Sequence, residues 1–294
     1  MTLEALTKRI KTTTDLRDIV STMKMLSSVS IGPYEKALKS LDEYSATVKS
    51  AFTGLMKDDR FSYTPGRQSS QNAKTIGIII GTDNGLVGRF NRDIVSFAQK
   101  DLREQNLLPE AEIICVGKRV GMISESMKLK PVATYAVMNS LKEIASIADI
   151  VLMRINELIA KTKAEQVFVY YMQKPSGLSS KPVKVQLMPL PREEMLALKK
   201  EKWRGRTIPL ITADRDALFQ ALIHEYLDVV LSRALTASLA AEHHTRMVNM
   251  QQAEKNIDDS LDTMNLEYQQ LRQTGITDEL IDIVSGAESI KKKR

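Results

Sequence analysis

Two sets of residues have types and spacings that could do chemistry. The first is the stretch "TIGIIIGTDNGLVGRFN", where an apolar run ends in Gly81, Gly85 and Gly88 and a helical pattern begins. A strand, a glycine-rich turn and a helix is one way to cradle a phosphate. The spacing, however, is neither G-x-G-x-x-G nor a P-loop, since no Gly-Lys-Ser/Thr follows. Asp83-Asn84-Gly85 is an ordinary tight-turn sequence, and the simplest reading is three glycines that turn a strand into a helix. The second set is His224, His243 and His244. Adjacent positions on a helix point about 100° apart, so His243 and His244 make a poor metal pair. H-E-x-x-H, C-x-x-C and G-x-S-x-G are all missing from the sequence. No catalytic residue, metal ligand or cofactor-binding residue is assigned.

Other charged groups have bland readings. Glu242 and Arg246 are an i,i+4 pair on a helix, worth a few tenths (~0.2–0.5) of a kcal/mol on a surface. Arg272-Gln273 reads as a solvated helix face, and "SIKKKR" as a solvated basic tail able to touch lipid headgroups or nucleic acid. Cys115, the only cysteine, lies in the apolar run "IICV" and reads as a small buried hydrophobe in a reduced protein.

These residues sit in three segments. Residues 3–56 carry apolar positions at steps of three and four, the stripe of a helix. Gly32-Pro33 predicts a kink or a break there. Residues 57–74 are polar and hold Pro65-Gly66, a linker. Residues 75–210 alternate in type. Strand-like runs fall at 75–80, 112–116, 166–171 and 183–188, and amphipathic helices at 89–102, 118–127 and 140–163. That alternation predicts a Rossmann-like α/β domain with a largely parallel sheet. Residues 211–294 form the third segment. From Leu210 to Thr274 there is neither Gly nor Pro, and a helix of that length runs about 90 Å at ~1.5 Å per residue. No compact domain of this size buries such a helix, so its stripe needs a partner. The first segment supplies one, which predicts a long antiparallel coiled coil. The expected outline is a shaft of N- and C-terminal helices with a central α/β domain at its side.

Composition agrees. Hydrophobic residues make up 43% and aromatics 5%, a balance of helix-rich proteins, and the net charge of +6 suits an acidic partner without requiring nucleic acid. No run has the length of a membrane span, and the N-terminus has no apolar signal core, so the chain is expected to begin at Met1 with structure. If it works at a membrane, something else holds it there.

In this order the pieces resemble the gamma subunit family of F-type ATP synthases, the central rotor stalk. "LTKRIKTTTDLRDIVSTMKMLSSVS" is similar to the family's opening helix, with a T-x-x-M-x-M core at Met23 and Met25. "GTDNGLVGRFN" resembles S-D-x-G-L-C-G-x-x-N, and "AAEHHTRMVNMQQAEKN" resembles S-E-x-x-A-R-M-x-A-M-x-x-A-x-x-N. "LRQTGITDELIDIVSGAESI" is similar to R-Q-x-x-I-T-x-E-L-x-E-I-x-x-G-A.

The resemblance implies a non-catalytic rotor subunit in which the glycine turn binds no nucleotide. It also implies partners: the alpha and beta subunits, epsilon and the c-ring, on the cytoplasmic face of a bacterial or archaeal membrane. Met23 would face the beta subunit's acidic lever. Glu242 and Arg246 would belong to a polar cluster coupling shaft to ring. Arg272 and Gln273 would meet acidic loops of the catalytic ring, with Thr277 and Glu279 following on the same face. The sequence departs from the pattern at Val87, Gly81, Gly32-Pro33, Gly275 and the basic tail. These departures, with "MLSSVSIGPYEKAL", resemble the divergent branch called N-type ATPases, which is linked to sodium transport. The inserted cysteine pair of chloroplast relatives is missing, which implies no thiol control. The tail is expected to pass beyond the family's apolar sleeve into solvent.

Three other readings stay open. A coiled-coil tether would explain the helices alone. An α/β enzyme would bind substrate through an isolated 75–210 fragment. A nucleic-acid binder would lose affinity steeply with salt.

Overall fold

A single helix, α1 (Leu3–Met56), runs through Gly32-Pro33 without a break in the computed structural model. The expected break does not occur, and local chemistry explains why. Proline clashes with the Cβ of the residue before it when that residue is helical, and Gly32 has no Cβ. Beyond Pro33, Tyr34 is buried and Leu38 packs against the same core cluster, so tertiary contacts offset the lost backbone bond. The structure describes residues 2–61, 74–137, 140–174, 180–190, 192–200, 203, 207 and 210–291. Most of the polar 57–74 stretch and the last three residues of the basic tail lie outside these.

A five-stranded sheet follows. Its strands are β1 (Thr75–Ile80), β2 (Ala111–Val116), β3 (Pro131–Tyr135), β4 (Gln166–Gln173) and β5 (Lys181–Met188), in the order β3-β2-β1-β4-β5. Pairings among the first four are parallel, and β4–β5 is antiparallel, so the sheet is mixed and largely parallel. Ile78 sits in register with Ile114 on one side and Val169 on the other.

Helices cover both faces. On one, α2 (Phe90–Glu104) and α3 (Lys118–Ser126) bury Ile94, Ala98, Leu102 and Val120 against Ile79, Ile113, Cys115 and Tyr170. On the other, α4 (Leu141–Thr162) buries Ile147, Val151, Ile155 and Leu158 against Ile78, Ile80, Ile114 and Val169. β3 and α5 (Arg192–Lys200) were not expected from the sequence. β3 is a five-residue edge strand opened by a proline, a weak signal. Met195 and Leu198 place α5 in a cluster with Val48, Phe52, Met56, Tyr226 and Val229.

The last element is α6 (Arg215–Lys291), 77 residues long, which continues through Gly275. The chain divides into two compact units. One holds Met1–Ser27 with Met247–Arg294, the other Ser28–Arg246. Within the first, Leu6 packs with Leu261 and Met264, and Arg17 Nε lies 3.1 Å from Asp258 Oδ1. Lys24 is paired with Glu254 there. Within the second, the Tyr34 ring stacks on His243, Arg233 Nε donates to Asp42 Oδ1 at 2.6 Å, and Tyr44 donates to Glu225 at 2.8 Å. In both units α1 numbers rise as α6 numbers fall, so each contains an antiparallel helix pair. The fold is mostly helical, with a central mixed sheet and a long C-terminal helix.

Candidate functional site

The glycine turn is occupied by the chain's own groups. Thr82 N donates to Asn91 Oδ1 at 2.9 Å, and Asn91 Nδ2 returns a bond to Thr82 Oγ1 at 2.9 Å. The Asp83 carboxylate accepts from Lys118 N, in the first turn of α3, at 2.6 Å and from Val137 N at 3.1 Å. The Asp83 carboxylate thus braces the turn against α3 and the segment after β3, and its negative charge disfavours an anion beside it. Gly81 is required for packing: a Cβ there would lie 2.5 Å from both Asn91 Oδ1 and Val120 Cβ. Gly88 has a positive φ of 59°, the left-handed conformation that glycine adopts without strain.

Beside the turn, a concavity of about 370 Å³ is lined by residues 85–88, by Arg89, Arg92 and Arg119, and by Asn91, Ile123 and Ser126. Arg89 is paired weakly with Asp93, at 3.5 Å. The sequence singled out none of these arginines. Arg89 and Arg92 are three apart at the start of α2, a faint signal, but Arg119 arrives from α3 through the sheet.

Glu242 is 2% exposed and takes a hydrogen bond from Arg246 Nη2. Burial pushes its carboxyl up, with Arg246 acting against that and Asp83 adding to it. His243 is held down to about 4 by burial first and by Arg246 second. Burial and Lys174 lower His244 as well. The Nδ1 atoms of both histidines are buried without a hydrogen-bond partner; the His243 ring stacks on Tyr34, and His244 lies within electrostatic reach of Lys174 and Glu35. Cys115 is buried beside Ser124, and burial pushes its thiol up to about 11.

The residues expected to meet other subunits fall into two kinds. Glu242 and Arg246 come together inside the Ser28–Arg246 unit. Met23, Arg272, Gln273, Thr277 and Glu279 belong to the other unit, Met23 half-buried on α1 and the other four exposed on α6. The four do not share one face. Thr277 Oγ1 donates to Gln273 O at 2.9 Å, so Thr277 stands over Gln273, while Glu279, seven residues on, stands over Arg272. The two columns lie about 100° apart. Residues 271–285 are all exposed, among them Ile276, Leu280, Ile281, Ile283 and Val284. Among the described residues no three His, Cys, Asp or Glu side chains could hold a metal ion, and no helix is long and apolar enough to cross a membrane.

Comparison with known proteins gives a consistent result. A gamma chain of ATP synthase from Geobacter metallireducens is 27% identical over 291 residues, covering 98% of this chain and 99% of the relative. The gamma chain from Clostridium perfringens is 26% identical, covering 97% and 96%. Among solved structures, the rotor of the Euglena gracilis mitochondrial ATP synthase superposes with a TM-score of 0.64 at 15% identity, covering 93% of this chain and 98% of that one. The central stalk and c-ring structure of the Tetrahymena thermophila mitochondrial enzyme gives 0.55 at 18% identity, covering 80% and 99%. The family model described as ATP synthase matches residues 2–290, nearly the whole length, and this chain belongs to that family.

Proposed function

We propose that the chain is the central-stalk rotor subunit of an F1Fo ATP synthase. It catalyses nothing itself. It couples ion flow through a membrane ring mechanically to ATP synthesis or hydrolysis on an alpha3-beta3 ring. The observation that carries this reading is the end of α6. Residues 271–285 form a helix exposed on every side, with six large aliphatic side chains interleaved among charges. Such a surface calls for a sleeve made by other subunits.

In this reading residues 1–56 and 211–294 form the shaft, 57–74 a linker and 75–210 the α/β domain. Arg272 suits an acidic loop of the catalytic ring, because its planar fork binds a carboxylate in fixed geometry. Gln273, Thr277 and Glu279 extend that contact, and Met23 faces an acidic lever of the beta subunit. The basic concavity of Arg89, Arg92 and Arg119 is a further surface for acidic segments of the same ring. Epsilon and the c-ring engage the foot. The subunit is peripheral on its membrane complex, at the cytoplasmic face of a bacterial or archaeal membrane. Shaft angle biases the conformation of each catalytic site through differential contacts.

The test is a native purification on a tag in the 57–74 stretch, followed by mass spectrometry and an ATPase assay. Two larger nucleotide-binding subunits with ATPase activity are expected. A chain that comes alone, or with unrelated partners and no ATPase, points to a coiled-coil tether instead.

A further inference from the structure

We infer that the crevice at the carboxyl ends of β1 and β4 is a grip on α6, filled by residues 241–245, which fixes the rotational angle of that helix within the Ser28–Arg246 unit. This inference rests on the rotor reading for its consequence, though not for its geometry. The sheet order β3-β2-β1-β4-β5 reverses direction at β1. β1 to β3 build outward on one side, and α4 then carries the chain back to β4 on the other. In open α/β sheets this switch point, just past the strand ends, is where ligands sit.

Here the chain fills it. Ala241 is fully buried in the cluster that holds Ile79 at the end of β1 and Met172 at the end of β4. Upstream, Leu235 and Leu239 lie against Val116, the last residue of β2, and Val137, just past the end of β3. Between Arg233 and Glu242 the helix carries no charge, and its small side chains, such as Ala237 and Ala240, allow close approach.

Successive helix residues point about 100° apart, so five of them sweep more than a full circle. Between them, these residues meet neighbours on opposite sides, since His243 and Thr245, two apart, point about 160° away from each other. The Ala241 carbonyl faces Ser180 Oγ at 3.4 Å. Glu242 lies within electrostatic reach of Asp83 in the glycine turn. His243 stacks on Tyr34 with ring centroids 5.3 Å apart and planes 19° apart. His244, 8% exposed, lies within electrostatic reach of the ion pair of Lys174 and Glu35. Thr245 Oγ1 stands 2.9 Å from Ser180 Oγ. A helix packed along one stripe can roll; one held on opposite sides cannot without breaking these contacts together. Glu242, His243, His244 and Thr245 are therefore positioning residues, acting through the angle of α6 and not by touching the catalytic ring.

Ser180→Cys with Thr245→Cys tests the grip in the assembled complex, freed of other reactive cysteines. Cys115 is buried and does not compete. A disulfide is expected to form under mild oxidation, with ATP-driven ion pumping within about twofold of the reduced state, since the two sides never part. A disulfide that stops pumping until it is reduced means that α6 turns in the crevice, and overturns the inference. So does a pair that stays as two free thiols. The complementary variant joins His243→Ala to Thr245→Val. It should lower ions pumped per ATP at least threefold while hydrolysis persists, and Thr245→Ser alone should keep wild-type coupling. An unchanged ratio in the double variant sinks the grip. A wild-type complex that fails to assemble or to pump would count against the rotor reading itself, which keeps the two failures apart.

Discussion

Asp83 carries the local architecture of the glycine turn, and its removal should be felt at once. Asp83→Ala leaves Lys118 N and Val137 N without their acceptor, and because the site is partly open to water the expected loss is ~1–3 kcal/mol in denaturant unfolding. Gly81→Ala should cost a similar ~1–3 kcal/mol, because its Cβ would press on Val120 and Asn91. The sequence showed the turn but not its brace. Asp83-Asn84-Gly85 has the composition of any tight turn, and the two groups that Asp83 binds are 35 and 54 residues away. Glu242 was likewise legible as half of an i,i+4 pair but not as a buried carboxylate, since its burial depends on groups far away in sequence. His243 gives a pH signature. The folded chain keeps it neutral down to about 4, whereas the unfolded imidazole, at 6.5, already binds a proton. The unfolded state takes up more protons between those values, so stability falls as pH is lowered from 6.5 toward 4. His243→Phe keeps a ring on Tyr34 and should flatten that part of the profile. Melting temperatures of both proteins at pH 4 to 7 check it.

At the scale of elements, two of the helical glycines, Gly32 and Gly275, should behave oppositely. A methyl group added at either one would find no atom within 4 Å beyond its own helix and adjoining residues. Gly275→Ala replaces a poor helix former in open space and should stabilise by up to ~1 kcal/mol. Gly32→Ala should gain nothing or destabilise, because its Cβ would meet the Pro33 ring. Chemical denaturation of the two variants side by side decides this. The same contrast explains what the sequence could and could not say about α1. Pro33 is a strong local signal, but the glycine before it and the packing of Tyr34 after it outweigh that signal. Strands with continuous apolar runs, such as Thr75–Ile80, were legible to the residue. β3 was not, because five alternating edge residues opened by Pro131 resemble a loop. α5 was missed because, among its described side chains, only Met195 and Leu198 reach a core.

For the whole molecule, the exposed end of α6 predicts a separation between stability and function. Arg272→Glu touches no packed group, so unfolding of the isolated chain should shift by less than ~0.5 kcal/mol. In the complex the same change should lower ATP-driven ion pumping several-fold, and equal pumping by both would remove Arg272 from the contact with the ring. The filled crevice has a different consequence, one that concerns how the α/β part can be studied. Excising residues 75–210 would take α6 out of the crevice and bare Val116, at the end of β2, to water. The fragment would then offer a cleft of the kind other α/β proteins use for small molecules. Any nucleotide or dye it bound would be binding a surface that the intact chain never presents, so a positive result with the fragment would say nothing of what the protein does.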